Sequence, residues 1–117
     1  MKIALFFVLM STSLMAHADR DLALINTHVN VMKMYAEFDL SCQTDSDCVV
    51  LPTGHKPCGG PSMSVITAKK NPLFSEVKRL ARIVTTEQRA YNQANNRFST
   101  CSIMRMPTPV CESLTCR

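Results

Sequence analysis

The 117-residue chain carries a formal net charge of +4, lacks tryptophan, and is 46% hydrophobic with only 6% aromatic residues. This length predicts one domain with a modest core and a thin stability margin. None of its three glycines belongs to a Gly-rich phosphate loop or a G-x-S-x-G motif, which argues against a nucleotide-binding or α/β-hydrolase site.

The N-terminus has the pattern of a removable export signal. Lys2 precedes an unbroken apolar run, Ile3 to Met10, and Ala16-His17-Ala18 supplies the A-x-A pattern of a cleavage site. The apolar run is far shorter than the roughly 20 residues that span a bilayer. We therefore predict a signal peptide over residues 1–18 and a soluble domain over residues 19–117. Its predicted location is the periplasm or the extracellular space, with no membrane span in the mature chain.

A first amphipathic helix is predicted from about Arg20 to Phe38. Apolar residues recur there at steps of three and four and form one stripe: Leu22, Ile25, Val29, Met32 and Ala36. His28 lies at the edge of this stripe, a position typical of a half-buried, non-catalytic histidine.

The segment 42–60, CQTDSDCVVLPTGHKPCGG, concentrates side chains that can bind metals. No C-x-x-C pair occurs in the chain, which argues against a dithiol oxidoreductase. The spacing of Cys42, Cys48, His55 and Cys58 matches no standard zinc motif. Asp45 and Asp47 lack the following ligands of a calcium loop, so a turn is the preferred interpretation. We predict no metal site and no cofactor.

The cysteine count predicts three disulfides. All six cysteines follow the signal peptide, and an even count in a short exported chain is typical of a disulfide framework. Six cysteines allow 15 pairings, and the sequence leaves the choice open. The predicted half-cystines are Cys42, Cys48, Cys58, Cys101, Cys111 and Cys116.

The remaining patterns predict a second helix and short strands. The helix extends from about Pro72 to Asn96, with Asn71 as its N-cap. Its apolar residues follow helical spacing and form a stripe: Leu73, Val77, Leu80, Val84, Tyr91, Ala94 and Phe98. The four predicted strands are Cys48–Leu51, ending before Pro52; Ser62–Thr67; Ser102–Met106; and Val110–Cys116 with a turn at Glu112–Leu114. The predicted fold class is therefore α+β, with two helices packed on a small antiparallel sheet and disulfides joining sheet and loops to the helix ends.

Charge is distributed unevenly. Residues 19–47 carry six acids and two bases, whereas residues 48–117 carry three acids and ten bases. On the second helix, a basic stripe is a candidate contact for an anionic envelope component: Lys78, Arg79, Arg82 and Arg89. No aromatic residues interleave with this stripe to stack bases, so we predict no nucleic-acid partner.

One segment has the layout of an inhibitory loop. CSIMRMPTPVC places Arg105 and Met106 between Cys101 and Cys111, ahead of two prolines. A loop held at both ends loses little entropy on docking, and an arginine suits trypsin-like proteases. The alternative interpretation of this segment is the end of a strand followed by a turn.

The cysteine frame resembles that of small exported bacterial domains of mostly unknown function. The resemblance rests on CQTDSDC, the following CGG and the closing CESLTC, and it covers residues 42–116. It implies the same export and the same disulfide-held construction, and it implies no activity. The opening motif is also similar to that of whey-acidic-protein inhibitor modules, which have eight cysteines rather than six.

These observations favour a non-enzymatic, exported, soluble protein that binds an unknown protein or envelope component. The alternatives are a protease or hydrolase inhibitor acting through the loop around Arg105 and Met106, and an envelope-associated structural protein. The ligand and the oligomeric state stay open.

Overall fold

The structure, a computed structural model, describes the backbone of residues 2–117 and the side chains of residues 19–117. The elements are α1 (Lys2–Ala36), β1 (Cys48–Thr53), β2 (Met63–Ala68), α2 (Phe74–Ala94), β3 (Cys111–Glu112) and β4 (Thr115–Cys116). The predicted α+β fold is confirmed: two helices accompany a small antiparallel sheet, and three disulfides join the chain. None of the six cysteines lies in a helix, so the bridges connect loops and strands rather than helix ends.

The predicted signal peptide is described through its backbone alone. Met1 is not described, nor are the side chains of residues 2–18, so cleavage after Ala18 stays a prediction. The backbone of this stretch forms the first part of α1. Within the described part of the chain, no helix combines the length and apolarity needed to cross a membrane.

The main core lies between the two helices and the β1–β2 sheet. α1 contributes Met32 and Ala36, and β2 contributes Val65. α2 contributes Val77 and Leu80, which belong to the apolar stripe predicted for it, and also Ala81, which does not. Met32 and Val77 are completely buried, as expected for side chains at the centre of an amphipathic helix pair.

Helix α2 begins at Phe74 rather than at Pro72, and Asn71 is not its N-cap. The Asn71 carboxamide is shared between two elements. Its Oδ1 accepts the Leu73 N–H at 2.9 Å, while Nδ2 donates to the Tyr35 carbonyl at 2.8 Å. The Phe74 N–H also donates to the Asn71 carbonyl at 2.9 Å, so one turn of the chain separates Asn71 from the start of α2.

Strands β1 and β2 pair antiparallel, with Val50 opposite Ile66 and Pro52 opposite Ser64. The prediction that Pro52 ends β1 was wrong, because the strand continues to Thr53. Every strand of a two-stranded sheet is an edge strand, so a residue without an N–H can remain in the ladder by facing outward.

The chain closes with the β3–β4 hairpin, which confirms the predicted turn near Glu112–Leu114. The predicted strand at Ser102–Met106 was wrong, because residues 97–110 have no regular structure. A strand requires a paired backbone. Here the Ser102 carbonyl accepts a hydrogen bond from the Lys56 ammonium at 2.6 Å instead of from a neighbouring strand. Pro107 and Pro109 have no N–H to donate.

Candidate binding surface

The disulfide pairing separates the six cysteines into two groups. Cys42 is bonded to Cys111 and Cys48 to Cys116, and these two bridges lie next to each other. Their half-cystines pack with Ala68, Leu40 and Ile66 in a second core. The third bridge, Cys58–Cys101, joins the Gly59-Gly60 loop to the segment after α2, and both of its residues are exposed.

The three cysteines of the segment 42–60 all form structural disulfides. The sulfurs of Cys42, Cys48 and Cys116 lie within 4.8 Å of one another, and all three are buried half-cystines. The structure therefore groups Cys42 and Cys48 with Cys116, whereas Cys58 is bonded elsewhere. His55 lies beside the C-terminal half of α2, against Asn92.

The two aspartates of this segment accept backbone hydrogen bonds. Asp47 Oδ2 accepts the N–H groups of Gln43 at 2.8 Å and Thr44 at 3.0 Å, which closes a 3₁₀ turn at Asp45–Asp47. These two hydrogen bonds, in that order, lower the pKa of Asp47. Asp45 Oδ1 accepts the Cys111 N–H at 2.8 Å and so fastens this turn to β3. The stretch between Cys42 and Cys48 is therefore a turn, as predicted.

We define the anchored loop as residues 101–110. Its first residue is bridged to Cys58, and the residue after it, Cys111, is bridged to Cys42. Near its start, Lys56 Nζ donates to the Ser102 carbonyl. At its end, Val110 and the C-terminal Arg117 exchange two backbone hydrogen bonds of 2.8 and 2.9 Å. The loop is therefore irregular in conformation but tied to the domain at both ends.

The anchored loop exposes apolar side chains beside a cation. Ile103 is 93% exposed and Met106 is 36% exposed, and Arg105 between them is also exposed. Met104 is half-buried against the Gly59-Gly60 loop. Met104 and Pro109 are the half-buried residues of the loop, and its other residues are exposed. This is the arrangement of a segment that presents side chains for contact.

The basic stripe predicted on α2 is divided in the structure. Lys78 and Arg82 line one shallow groove with Leu51 and Pro52. Arg79 pairs with Glu76, at 2.9 Å from its Nε and 2.8 Å from its Nη2. Arg89 lies farther along α2, in a second groove. The four residues share a helix but do not converge on one point.

The two histidines of the predicted domain lie in different surroundings. His28 is half-buried between the helices, with its Nδ1 2.7 Å from Glu87 Oε1. His55 is held through its backbone, which bonds Gln88 and Asn92 of α2. Glutamine and asparagine four residues apart in a helix do not predict this contact by themselves, because only the fold brings the His55 backbone between them.

Comparison with protein-family models, with curated proteins and with solved structures finds no match to this chain. The candidate surfaces therefore rest on the residues and contacts described above.

Proposed function

We propose that this chain is an exported, non-enzymatic binding protein whose recognition element is the anchored loop. The observation that carries the proposal is the exposure of Ile103, Arg105 and Met106 on a segment bridged at both ends. Large apolar side chains exposed on a restrained loop favour association, because little conformational entropy is lost when the loop docks. The proposed partner is a protein in the periplasm or outside the cell.

Two further features support an exported, non-enzymatic role. Three disulfides are typical of oxidising compartments and rare in reducing ones. All six cysteines are bridged, so their sulfurs stabilise the fold and are not available as thiolate nucleophiles.

The test is affinity capture from extracts of the producing cell and from its medium, using oxidised protein immobilised on beads. We expect one stoichiometric partner to bind the wild type and to be lost from the double variant Ile103→Ser/Met106→Ser. The matched control is Leu22→Ser/Met34→Ser, which removes apolar groups that are 41% and 68% exposed on α1 and should keep the partner.

Retention of the same partner by the loop variant would refute a role for the loop. Sedimentation of the protein with the cell envelope, regardless of these substitutions, would instead favour the envelope-associated structural alternative. Turnover of a substrate by the purified protein would refute the non-enzymatic assignment.

A protease inhibitor is the second candidate, and the exposed Arg105 inside the anchored loop favours it. An arginine held between fixed ends suits the specificity pocket of a trypsin-like protease, which recognises a cation. We expect the wild type to inhibit trypsin at micromolar concentration, Arg105→Ala to abolish inhibition, and Arg82→Ala on α2 to preserve it. Absence of inhibition by the wild type removes this candidate.

A further inference from the structure

A polar groove lies beside the C-terminal turns of α2, where the chain leaves the helix. Its volume is about 380 Å³, which falls within the range of small-molecule sites, roughly 300–1,000 Å³. The side chains that define its chemistry are His55, Arg89, Gln93, Asn96, Arg97 and Phe98. No carboxylate lines it among the residues with described side chains.

One wall of the groove is fixed by a clamp from α2. Gln88 Oε1 accepts the His55 N–H at 2.7 Å, and Asn92 Nδ2 donates to the His55 carbonyl at 2.7 Å. Gly54, just before His55, has a φ of +77°, and a side chain there would collide with Ser62 and Gln88. The loop therefore lies close against α2, and the position of His55 is set before any ligand arrives.

Another part of the groove lining is formed by the chain as it leaves α2. Asn96 has a φ of +47°, which reverses the chain direction. The Arg97 N–H then donates to the Asn92 carbonyl at 3.0 Å. The Arg97 guanidinium lies 5.7 Å from the centre of the Tyr91 ring, a cation–π distance. These contacts hold Arg97 at the groove, and Phe98 follows it in the chain.

Among the described side chains, neither arginine of the groove is paired with a carboxylate. The close contacts between a basic side chain and a carboxylate in residues 19–117 are His28–Glu87 and Arg79–Glu76, and neither includes Arg89 or Arg97. Two guanidinium groups beside one cavity without an acid attract an anion, and their planar donor forks match a carboxylate. Arg79, on the same helix, differs from Arg89 because its charge is balanced by Glu76.

We propose that this groove binds a saccharide that carries a carboxylate. Arg89 and Arg97 pair with the carboxylate, while the amides of Gln93 and Asn96 both donate and accept hydrogen bonds and therefore match sugar hydroxyls. Phe98, whose surface is 92% exposed, offers an apolar face to the C–H side of a sugar ring. The groove is separate from the anchored loop and does not depend on the proposed protein partner.

The test is titration of the oxidised full chain with trigalacturonate, followed by calorimetry and by NMR of the backbone amides. We expect saturable binding, with shifts concentrated at His55, Gln93 and Phe98. Arg89→Gln and Arg97→Gln should each weaken binding about tenfold or more, because each removes a charged hydrogen-bonding group. Neutral maltotriose should bind more weakly than the acidic sugar.

The matched control is Arg82→Gln, which makes the same charge change on the same helix outside the groove. We expect it to change the affinity less than twofold. An equal loss in Arg82→Gln and Arg89→Gln would mean diffuse attraction to the helix and would overturn the proposal. Sulfate binding as tightly as trigalacturonate, or no binding at millimolar sugar, would overturn it as well.

Discussion

Single polar side chains close the connections between the elements of this small domain. The hydroxyls of Thr53 and Thr67 donate at 2.7 Å to the carbonyls of Ala81 and Ala36, and all of these residues are buried. Asn71 bonds the same end of α1. The last carbonyls of a helix have no partner within it, and a buried carbonyl without a donor costs about 1–3 kcal/mol. β2 and the turn after it therefore supply the cap that α1 lacks.

The charge of a single side chain, Asp47, stabilises the turn before β1. Its carboxylate accepts the Gln43 and Thr44 N–H groups, which lower its pKa below the usual value near 3.8, with smaller contributions from Lys70 and Lys69. The folded state thus favours the ionised form more strongly than the unfolded state does. The stabilisation is present above the pKa of the unfolded chain and is lost as pH falls through the lower folded pKa.

We therefore expect the urea midpoint of the wild type to fall as pH decreases below about 4. Asp47→Asn should lower the midpoint at neutral pH and should flatten this part of the acid dependence, because an amide does not titrate. The measurement is urea unfolding between pH 7 and pH 2. Asp39 also has a lowered pKa, through its bonds to Ser41, so some acid dependence remains in the variant. Parallel curves for the two proteins would contradict the assignment to Asp47.

Among the secondary-structure elements, the periodicity of apolar residues predicted the helices, whereas the spacing of the cysteines did not predict the disulfide pairing. The apolar stripes identified both helices, since residues three and four apart share a helix face. The core positions Met32, Val77 and Leu80 follow from those stripes. The bounds predicted for two strands also lie within two residues of those of β1 and β2, because short β-prone runs there are bounded by turn residues.

The anchored loop and the groove were harder to predict. Arg105 and Met106 were identified from the cysteines on either side, but the two cysteines are not bonded to each other. Their partners, Cys58 and Cys42, are more than 40 residues distant, and sequence spacing carries no information about such long-range pairing. The groove was missed except for Arg89, because His55 and Arg97 meet only through the fold.

The hairpin between β3 and β4 contains a conformation that its sequence does not favour. Ser113 and Leu114 both have positive φ, +53° and +62°, where a two-residue turn usually has Asn-Gly. The left-handed region costs a residue with a side chain about 1–2 kcal/mol, and glycine avoids this cost. Part of the gain is lost, because a glycine gives the unfolded chain more conformational freedom.

We expect Leu114→Gly to raise the free energy of unfolding by about 0.5–1 kcal/mol. Leu114 is 68% exposed, so little buried apolar contact is lost. Chemical denaturation measures the effect. Thr108→Gly, in the anchored loop at a residue without positive φ, should lower stability slightly and serves as the control. A decrease for Leu114→Gly would show that the leucine side chain contributes more than the strain removes.

At the scale of the whole molecule, the three bridges divide into a buried pair and an exposed one. Cys48 and Cys116 are buried in the second core, whereas Cys58 and Cys101 are exposed and hold the start of the anchored loop. Removing the exposed bridge should therefore release the loop while the cores stay packed.

We expect Cys58→Ser/Cys101→Ser to lose about 2–4 kcal/mol of stability and still unfold cooperatively. Trypsin should cut after Arg105 faster than in the wild type, because the released loop fits the protease more easily. Timed digestion with mass spectrometry measures this rate. The variant Cys58→Ser/Cys101→Ser/Arg105→Gln is the control, because it lacks the arginine and should lose this cleavage. Equal rates in variant and wild type would mean that Lys56 and the backbone bonds at Val110 hold the loop without the bridge.

The proximity of the buried sulfurs has a consequence for how the chain matures. Cys42, Cys48 and Cys116 lie within 4.8 Å of one another, so a thiolate at any one of them is within reach of the neighbouring bridge. Thiol–disulfide exchange needs such an approach. Wrong pairings among Cys42, Cys48, Cys111 and Cys116 can therefore rearrange locally once the hairpin has docked. Cys58 and Cys101 take no part in that exchange, and their bond can form independently of it.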